Sequence, residues 1–173
     1  MFHIYTGTGK GKTTAALGLM LRALGWRRKV LFVQFFKGIE TGEKIMLEYL
    51  ASQGFPVSFM QAGRKYFIPI EKPKHEDVEI IRKGFSLALK KMRILKPDIV
   101  VFDEINLALA YNILDLNSIM KVISELEKAN VEIIFTGRYA PKELIEVADL
   151  VTNMVKVKHY FDKGIKARKG IEY

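Results

Sequence analysis

Apolar residues return along this chain in two rhythms. Short unbroken apolar runs alternate with longer stretches in which apolar positions recur every three or four residues, and glycine or proline marks most of the changeovers. Runs at residues 2–5, 29–36, 57–60, 99–102, 131–135 and 149–157 predict strands. The second, Lys29-Val-Leu-Phe-Val-Gln-Phe-Phe36, is apolar at nearly every position, as expected of a strand buried on both faces of a parallel sheet. Helical spacing holds over 15–24, through Ala15, Ala16, Leu19, Met20, Ala23 and Leu24, and Gly25 stops it. Thr41-Gly42-Glu43 reads as the start of a second helix, closed by Gly54; 76–95 is a long amphipathic helix broken by Lys96-Pro97-Asp98. A short helix-like stretch around Asn106 and Tyr111, a helix over 116–129 and another over 141–148 complete the series. Strands alternating with helices predict a doubly wound α/β fold, a mostly parallel sheet with helices on both faces. With 173 residues, 49% of them hydrophobic, and no repeat or linker, the chain reads as a single domain, 1–173. Its basic tail, 158–173, has no period, and the tail's aromatics argue that part of it folds onto the body.

Between the first strand and the first helix lies Tyr5-Thr6-Gly7-Thr8-Gly9-Lys10-Gly11-Lys12-Thr13-Thr14. A strand that stops at a glycine-rich turn and restarts as a helix leaves unpaired N–H groups at a helix N-terminus, where the macrodipole also favours anions. This is a phosphate cradle: Gly7, Gly9 and Gly11 let the backbone approach phosphate oxygens, Lys12 supplies a mobile charge, and Thr13 supplies a hydroxyl for magnesium. The usual spacing puts a glycine at the position held by Thr6; Gly7 stands one residue late.

A second signal is the strand at 99–102 followed by Asp103-Glu104. Ligands of open parallel sheets sit beyond the carboxyl ends of the strands, so these acids would face the phosphate loop if the two strands are neighbours. They either serve a magnesium shell or cap a helix. Arg138, after the fifth strand, is a candidate phosphate contact; Arg22, nine residues beyond Thr13, either reaches the nucleotide or stays on the solvent face. Residues 62–75 lack periodicity, and Tyr66 and Phe67, beside Arg64 and Lys65, either line a flat ligand or anchor the loop. His3, His75 and His159 lie far from these signals, so no general base is evident.

Composition narrows the chemistry. The chain has no cysteine, which excludes disulfides, thiolate metal sites and cysteine nucleophiles. No leader precedes the first strand and no apolar run nears the ~20 residues that span a bilayer, so a cytoplasmic protein is expected, without membrane insertion. The net charge of +9 suits a polyanionic nucleotide, an acidic partner or nucleic acid alike.

The segments TGTGKGKTTAALG, VQFFKG with TGE, VVFDEINLALAY, TGRYAPKELIEVADLVTNM and VKHYFDKGIKARKGIEY together resemble the P-loop class of corrinoid adenosyltransferases nearly end to end. The resemblance implies a P-loop NTPase-like (RecA-like) domain acting in cobalamin biosynthesis. Such a domain would move the 5′-deoxyadenosyl group of ATP to the Co(I) centre of a reduced corrinoid, with triphosphate leaving. Co(I) is already a strong nucleophile, in keeping with the missing base. It further implies ATP lying in the loop in the opposite sense to ordinary P-loop hydrolases. Gly7, Thr8, Gly9, Lys10, Gly11, Lys12, Thr13 and Thr14 would hold the triphosphate, with Arg22 and Arg138 as further contacts. Thr13 and Glu104 would serve Mg²⁺, with Asp103 beside them, and Lys12, Thr13 and Glu104 would carry the catalysis. A flavoprotein electron donor and a homodimer are also implied; nucleic acid and membrane are not. Two features depart from the family. Members commonly carry a segment ahead of the first strand, and where they often have Gly-Phe-x-Trp to displace the lower cobalt ligand, Gly63 is followed by Arg64, Lys65, Tyr66 and Phe67. Tyr66 and Phe67 are the corrin-facing candidates. A P-loop nucleoside kinase or ATPase is the alternative that shares the loop and the acids.

Overall fold

A computed structural model of the chain describes residues 1–64 and 73–173. Six parallel strands form one sheet in the order β3-β2-β4-β5-β1-β6: β1 Phe2–Thr6, β2 Val30–Phe35, β3 Val57–Ala62, β4 Ile99–Asp103, β5 Glu132–Thr136 and β6 Leu150–Asn153. The helices are α1 Lys12–Gly25, α2 Gly42–Ser52, α3 His75–Leu95, α4 Ile105–Ala110, α5 Leu116–Lys128 and α6 Lys142–Val147, and a 3₁₀ turn covers Tyr160–Lys163.

The apolar runs make central strands because both faces are buried. In β2, Leu31, Val33 and Phe35 join the core under α3, α4, α5 and α6, while Val30 and Phe32 join the core under α1 and α2. In β4 the same alternation sends Val100 and Phe102 one way and Ile99 and Val101 the other. Phe102 sits at the centre of the larger core, its ring 5.5 Å from Phe135, 5.9 Å from Phe85 and 6.1 Å from Phe35. The predicted helix starts hold: Thr41 Oγ1 accepts from Lys44 N–H at 3.3 Å, and Asp115 Oδ2 accepts from Ser118 N–H at 2.8 Å.

Two expectations need correction. The strand expected over 149–157 is shorter, Leu150–Asn153. Met154 donates its N–H to Thr6 and gives its carbonyl to Gly9 N–H at 2.7 Å, so the chain turns out of the sheet to back the glycine-rich loop. Nor are β1 and β4 neighbours, since β5 lies between them. The acids still meet the loop because α1 packs over β1, β5 and β4 alike, with Ala16 and Met20 in one cluster with Ile134 of β5 and Val101 of β4.

Candidate active site

The carboxyl ends of β1, β2, β4 and β5 converge on one cleft. Between β1 and α1, residues 7–11 form a loop in which Gly7 and Gly11 take φ of 101° and 122°. The late first glycine has a local reason: a Cβ on Gly7 would stand 2.4 Å from both Asn153 Oδ1 and the Met154 carbonyl oxygen. The buried Lys12 bends back over the loop and donates to the carbonyls of Gly7 at 2.9 Å and Gly9 at 2.7 Å. Burial pushes its pKa down and Arg138 adds to that, while Glu104 and Asp103 oppose it. The ammonium is thus held ready at the cradle with part of its hydration already removed.

Asp103, fully buried at the end of β4, accepts from three side chains. Thr13 and Thr136 hydroxyls donate to its Oδ1 at 2.8 and 2.6 Å, and Gln34 donates to its Oδ2 at 3.0 Å. Gln34 also donates to Glu43 Oε1 at 2.9 Å and accepts from Gln61 at 3.0 Å, which ties β2, β3, β4 and α2 into one polar network. Lys37 closes it, 3.5 Å from Glu43 and 3.9 Å from Asp103. Burial opposes ionisation of Glu43, but Gln34, its own backbone, Lys37 and Thr41 outweigh it and hold the pKa below the usual range.

Glu104 differs. It sits in the left-handed region at φ 63°, donates its N–H to Thr136 Oγ1 at 2.9 Å, and leaves Oε2 buried without a hydrogen-bond partner among the described residues. Burial pushes its pKa up to about 7; Asp103 adds to the rise, and Lys12, Lys37 and Arg138 oppose it. An orphaned carboxylate oxygen in the cleft that Thr13 also lines fits a hard divalent cation, which takes oxygen ligands. Among the described residues no cluster of three acidic, histidine or cysteine side chains can hold a metal ion unaided, so such a cation would be completed by phosphate oxygens or water.

The cleft encloses about 560 Å³. Of the residues expected at the site, it brings together Thr8, Gly9, Lys10, Gly11, Lys12, Thr13, Thr14, Glu104 and Arg138, with Asp103 beneath them. Arg22 is exposed on α1 and does not line it. Tyr66 and Phe67 lie outside the described residues. Sequence reasoning missed Gln34, Lys37 and Glu43, although the carboxyl-end rule applied to Asp103 also covers the end of β2. It also missed His159 and residues 170–173, which line the cleft from the far end of the chain. The remaining wall is apolar: Leu17, Met20 and Leu21 from α1, and Met46, Leu47 and Leu50 from α2.

Residues 1–173 match the family described as ATP:corrinoid adenosyltransferase BtuR/CobO/CobP. The chain is 34% identical over 180 residues to a corrinoid adenosyltransferase of a Sinorhizobium species, covering 98% of this chain and 78% of that protein. It is 35% identical over 171 residues to the corrinoid adenosyltransferase of Escherichia coli K12, and 33% identical over 171 residues to that of Salmonella typhimurium, covering in each case 98% of this chain and 84% of the relative. A glycine-rich loop braced by β6, an acid pair at the end of β4 and a whole-length family match agree, and the chain belongs to the ATP:corrinoid adenosyltransferase family.

Proposed function

We propose that this chain transfers the 5′-deoxyadenosyl group of ATP to the cobalt of a reduced corrinoid. The observation that carries the reading is the whole-length family match, lying on a cleft where Lys12, Lys37 and Arg138 gather around the phosphate loop. In this reaction the Co(I) electron pair forms the cobalt–carbon bond at C5′, the C5′–O bond breaks, and its electrons leave on triphosphate. The nucleophile needs no deprotonation, so the residues act by positioning and by stabilising the leaving anion. Lys12 and Arg138 are the cations for that anion. Mg²⁺ would be held by the Thr13 hydroxyl and Glu104, with Asp103 fixing Thr13 from behind, and would neutralise phosphate charge.

Tyr66 and Phe67 are the proposed corrin-facing pair. Arg64, which stands where the family often has phenylalanine, is turned to the start of α3 and pairs with Glu76 at 2.5 Å and Asp77 at 2.6 Å. Gly63, from which this segment sets out, packs against the backbone of Lys37 at the rim of the cleft. Phe67→Ala and Tyr66→Ala should slow adenosylation that starts from Co(II) with a mild reductant more than adenosylation of corrinoid already reduced to Co(I). Equal losses in the two assays would remove the pair from the corrin face. A flavoprotein reductant, a homodimer and a cytoplasmic setting complete the proposal on the family resemblance.

The deciding experiment incubates the protein with ATP, Mg²⁺ and a chemically reduced corrinoid. Adenosylated corrinoid and intact triphosphate are expected; ADP and phosphate as the main products would point instead to a kinase or ATPase.

A further inference from the structure

The tail is folded largely on itself. Val157 and Phe161 are 88% and 71% exposed, and Lys156 pairs with Asp162 at 2.9 Å. Glu172 is the hub of the segment: its carboxylate accepts from the Tyr160 hydroxyl, from Arg168 N–H at 2.6 Å and from the Arg168 guanidinium at 3.4 Å. That guanidinium also lies 4.8 Å over the Tyr160 ring. The Tyr160 hydroxyl first, then the Arg168 backbone and side chain and Lys10, hold the Glu172 carboxyl down to about 2 against its desolvation. Among the described residues, the hydrogen bonds that join 156–173 to the rest of the chain both start at one atom. Lys10 Nζ donates to the Ile171 carbonyl at 2.9 Å and to Glu172 Oε1 at 3.1 Å.

Lys10 therefore differs from Lys12, two residues on in the same loop. Lys12 folds inward over the carbonyls of the cradle, whereas Lys10 reaches outward to a carboxylate already fixed by three other donors. An exposed ion pair is weak when both partners must be ordered for it, but here the acceptor is pre-organised and a carbonyl shares the same ammonium. Ile171 and Tyr173, carried by this contact, line the cleft together with Leu17, Leu21 and Met46.

We propose that Lys10 is the tether of the C-terminal tail rather than a ligand of the phosphates, and that Glu172 is the positioning residue that turns it outward, so that residues 170–173 form a movable wall of the nucleotide site. The inference deepens the reading of the cleft as an ATP site and rests on it. Lys12 and Arg138 are then the loop-side cations left to the triphosphate, and ATP enters by lifting a wall that closes again over it.

The test uses the full-length protein with trypsin, following tail fragments cut after Lys163, Lys166, Arg168 and Lys169 by mass spectrometry. Without ligand, Lys10→Met and Glu172→Gln should each release the tail about threefold to fivefold faster than wild type, the population change expected from losing one exposed charged contact. ATP with Mg²⁺ should protect the wild-type tail and protect Lys10→Met less. In steady state, both variants should raise KM for ATP by a similar factor with kcat nearly unchanged, and the double variant should be no worse than either single one. Wild-type cleavage rates in Lys10→Met, faster cleavage on adding ATP, or losses that multiply in the double variant would each overturn the proposal. The cleavage assay needs no adenosyl transfer. A protein that shows the tether but makes no adenosylated corrinoid therefore refutes the proposed reaction and leaves the tether standing.

Discussion

The Thr13 hydroxyl donates to Asp103 Oδ1 at 2.8 Å across ninety residues of chain, joining the first turn of α1 to the end of β4. With its hydrogen committed to Asp103, Thr13 keeps its oxygen lone pairs for a cation. Asp103→Asn tests the arrangement. Thr13 and Thr136 donate to one oxygen and Gln34 to the other, so an amide group sets a donor against a donor in either orientation. A buried donor left unsatisfied costs about 1–3 kcal/mol. Thermal unfolding should fall by several degrees and turnover by about tenfold or more. Wild-type stability and rate together would show that Asp103 does not organise Thr13.

Lys12→Ala should cut turnover by roughly 10²-fold or more, the scale seen when one preorganised charge-stabilising donor is lost. The loop carbonyls of Gly7 and Gly9 now held by its ammonium can turn to water in the open cleft, so the fold should survive. Circular dichroism and steady-state kinetics check the two halves; turnover within about threefold of wild type would contradict the assignment.

Gly84 of α3 lies against Ala62 at the end of β3, and a Cβ there would stand 2.2 Å from the Ala62 Cβ. Alanine for glycine gains about 1 kcal/mol of helix propensity in a helix interior. Overpacking a core contact costs about 1–3 kcal/mol, and at this separation the backbone must shift, so the cost wins. Gly84→Ala should lower the urea midpoint, and adding Ala62→Gly should restore part of it. A raised midpoint in the single variant would mean that α3 moves off the sheet freely.

What the sequence made legible follows the range of the physics involved. The strands buried on both faces and the glycine-bounded helices are local patterns, and they emerged close to their expected limits, β2 and α3 among them. The phosphate loop is also local. The shift of its first glycine became intelligible only when Asn153 and Met154 appeared against Gly7, because that contact joins residues 146 and 147 positions apart. Gln34 carried no signal of its own: one amide inside an apolar strand matters because β2 pairs with β4 and sets it beside Asp103. The tail was equally opaque, since nothing in its aperiodic sequence says that Glu172 reaches Lys10.

Glu104 gives the last prediction. Its carboxyl is pushed up to about 7 from the usual 4.5, by burial first and then by Asp103, against the cations Lys12, Lys37 and Arg138. Below pH 4.5 the group carries its proton in both the folded and the unfolded chain. Between there and about 7 the unfolded chain ionises while the folded one stays protonated. The unfolded state then binds fewer protons, and stability falls as pH rises, by up to about 1.4 kcal/mol per pH unit; above the folded pKa the loss levels off. Glu104→Gln keeps the shape and removes the ionisation. In chelator and without nucleotide, wild type and variant should therefore be about equally stable near pH 4, and the variant should be the more stable near pH 8. The same variant should lose turnover, because the neutral amide gives up the charge proposed to meet the cation. Urea midpoints at four or five pH values decide the matter. A difference that stays flat with pH, or a wild type that becomes the more stable one in alkali, would show that Glu104 is ionised at little cost in the folded chain.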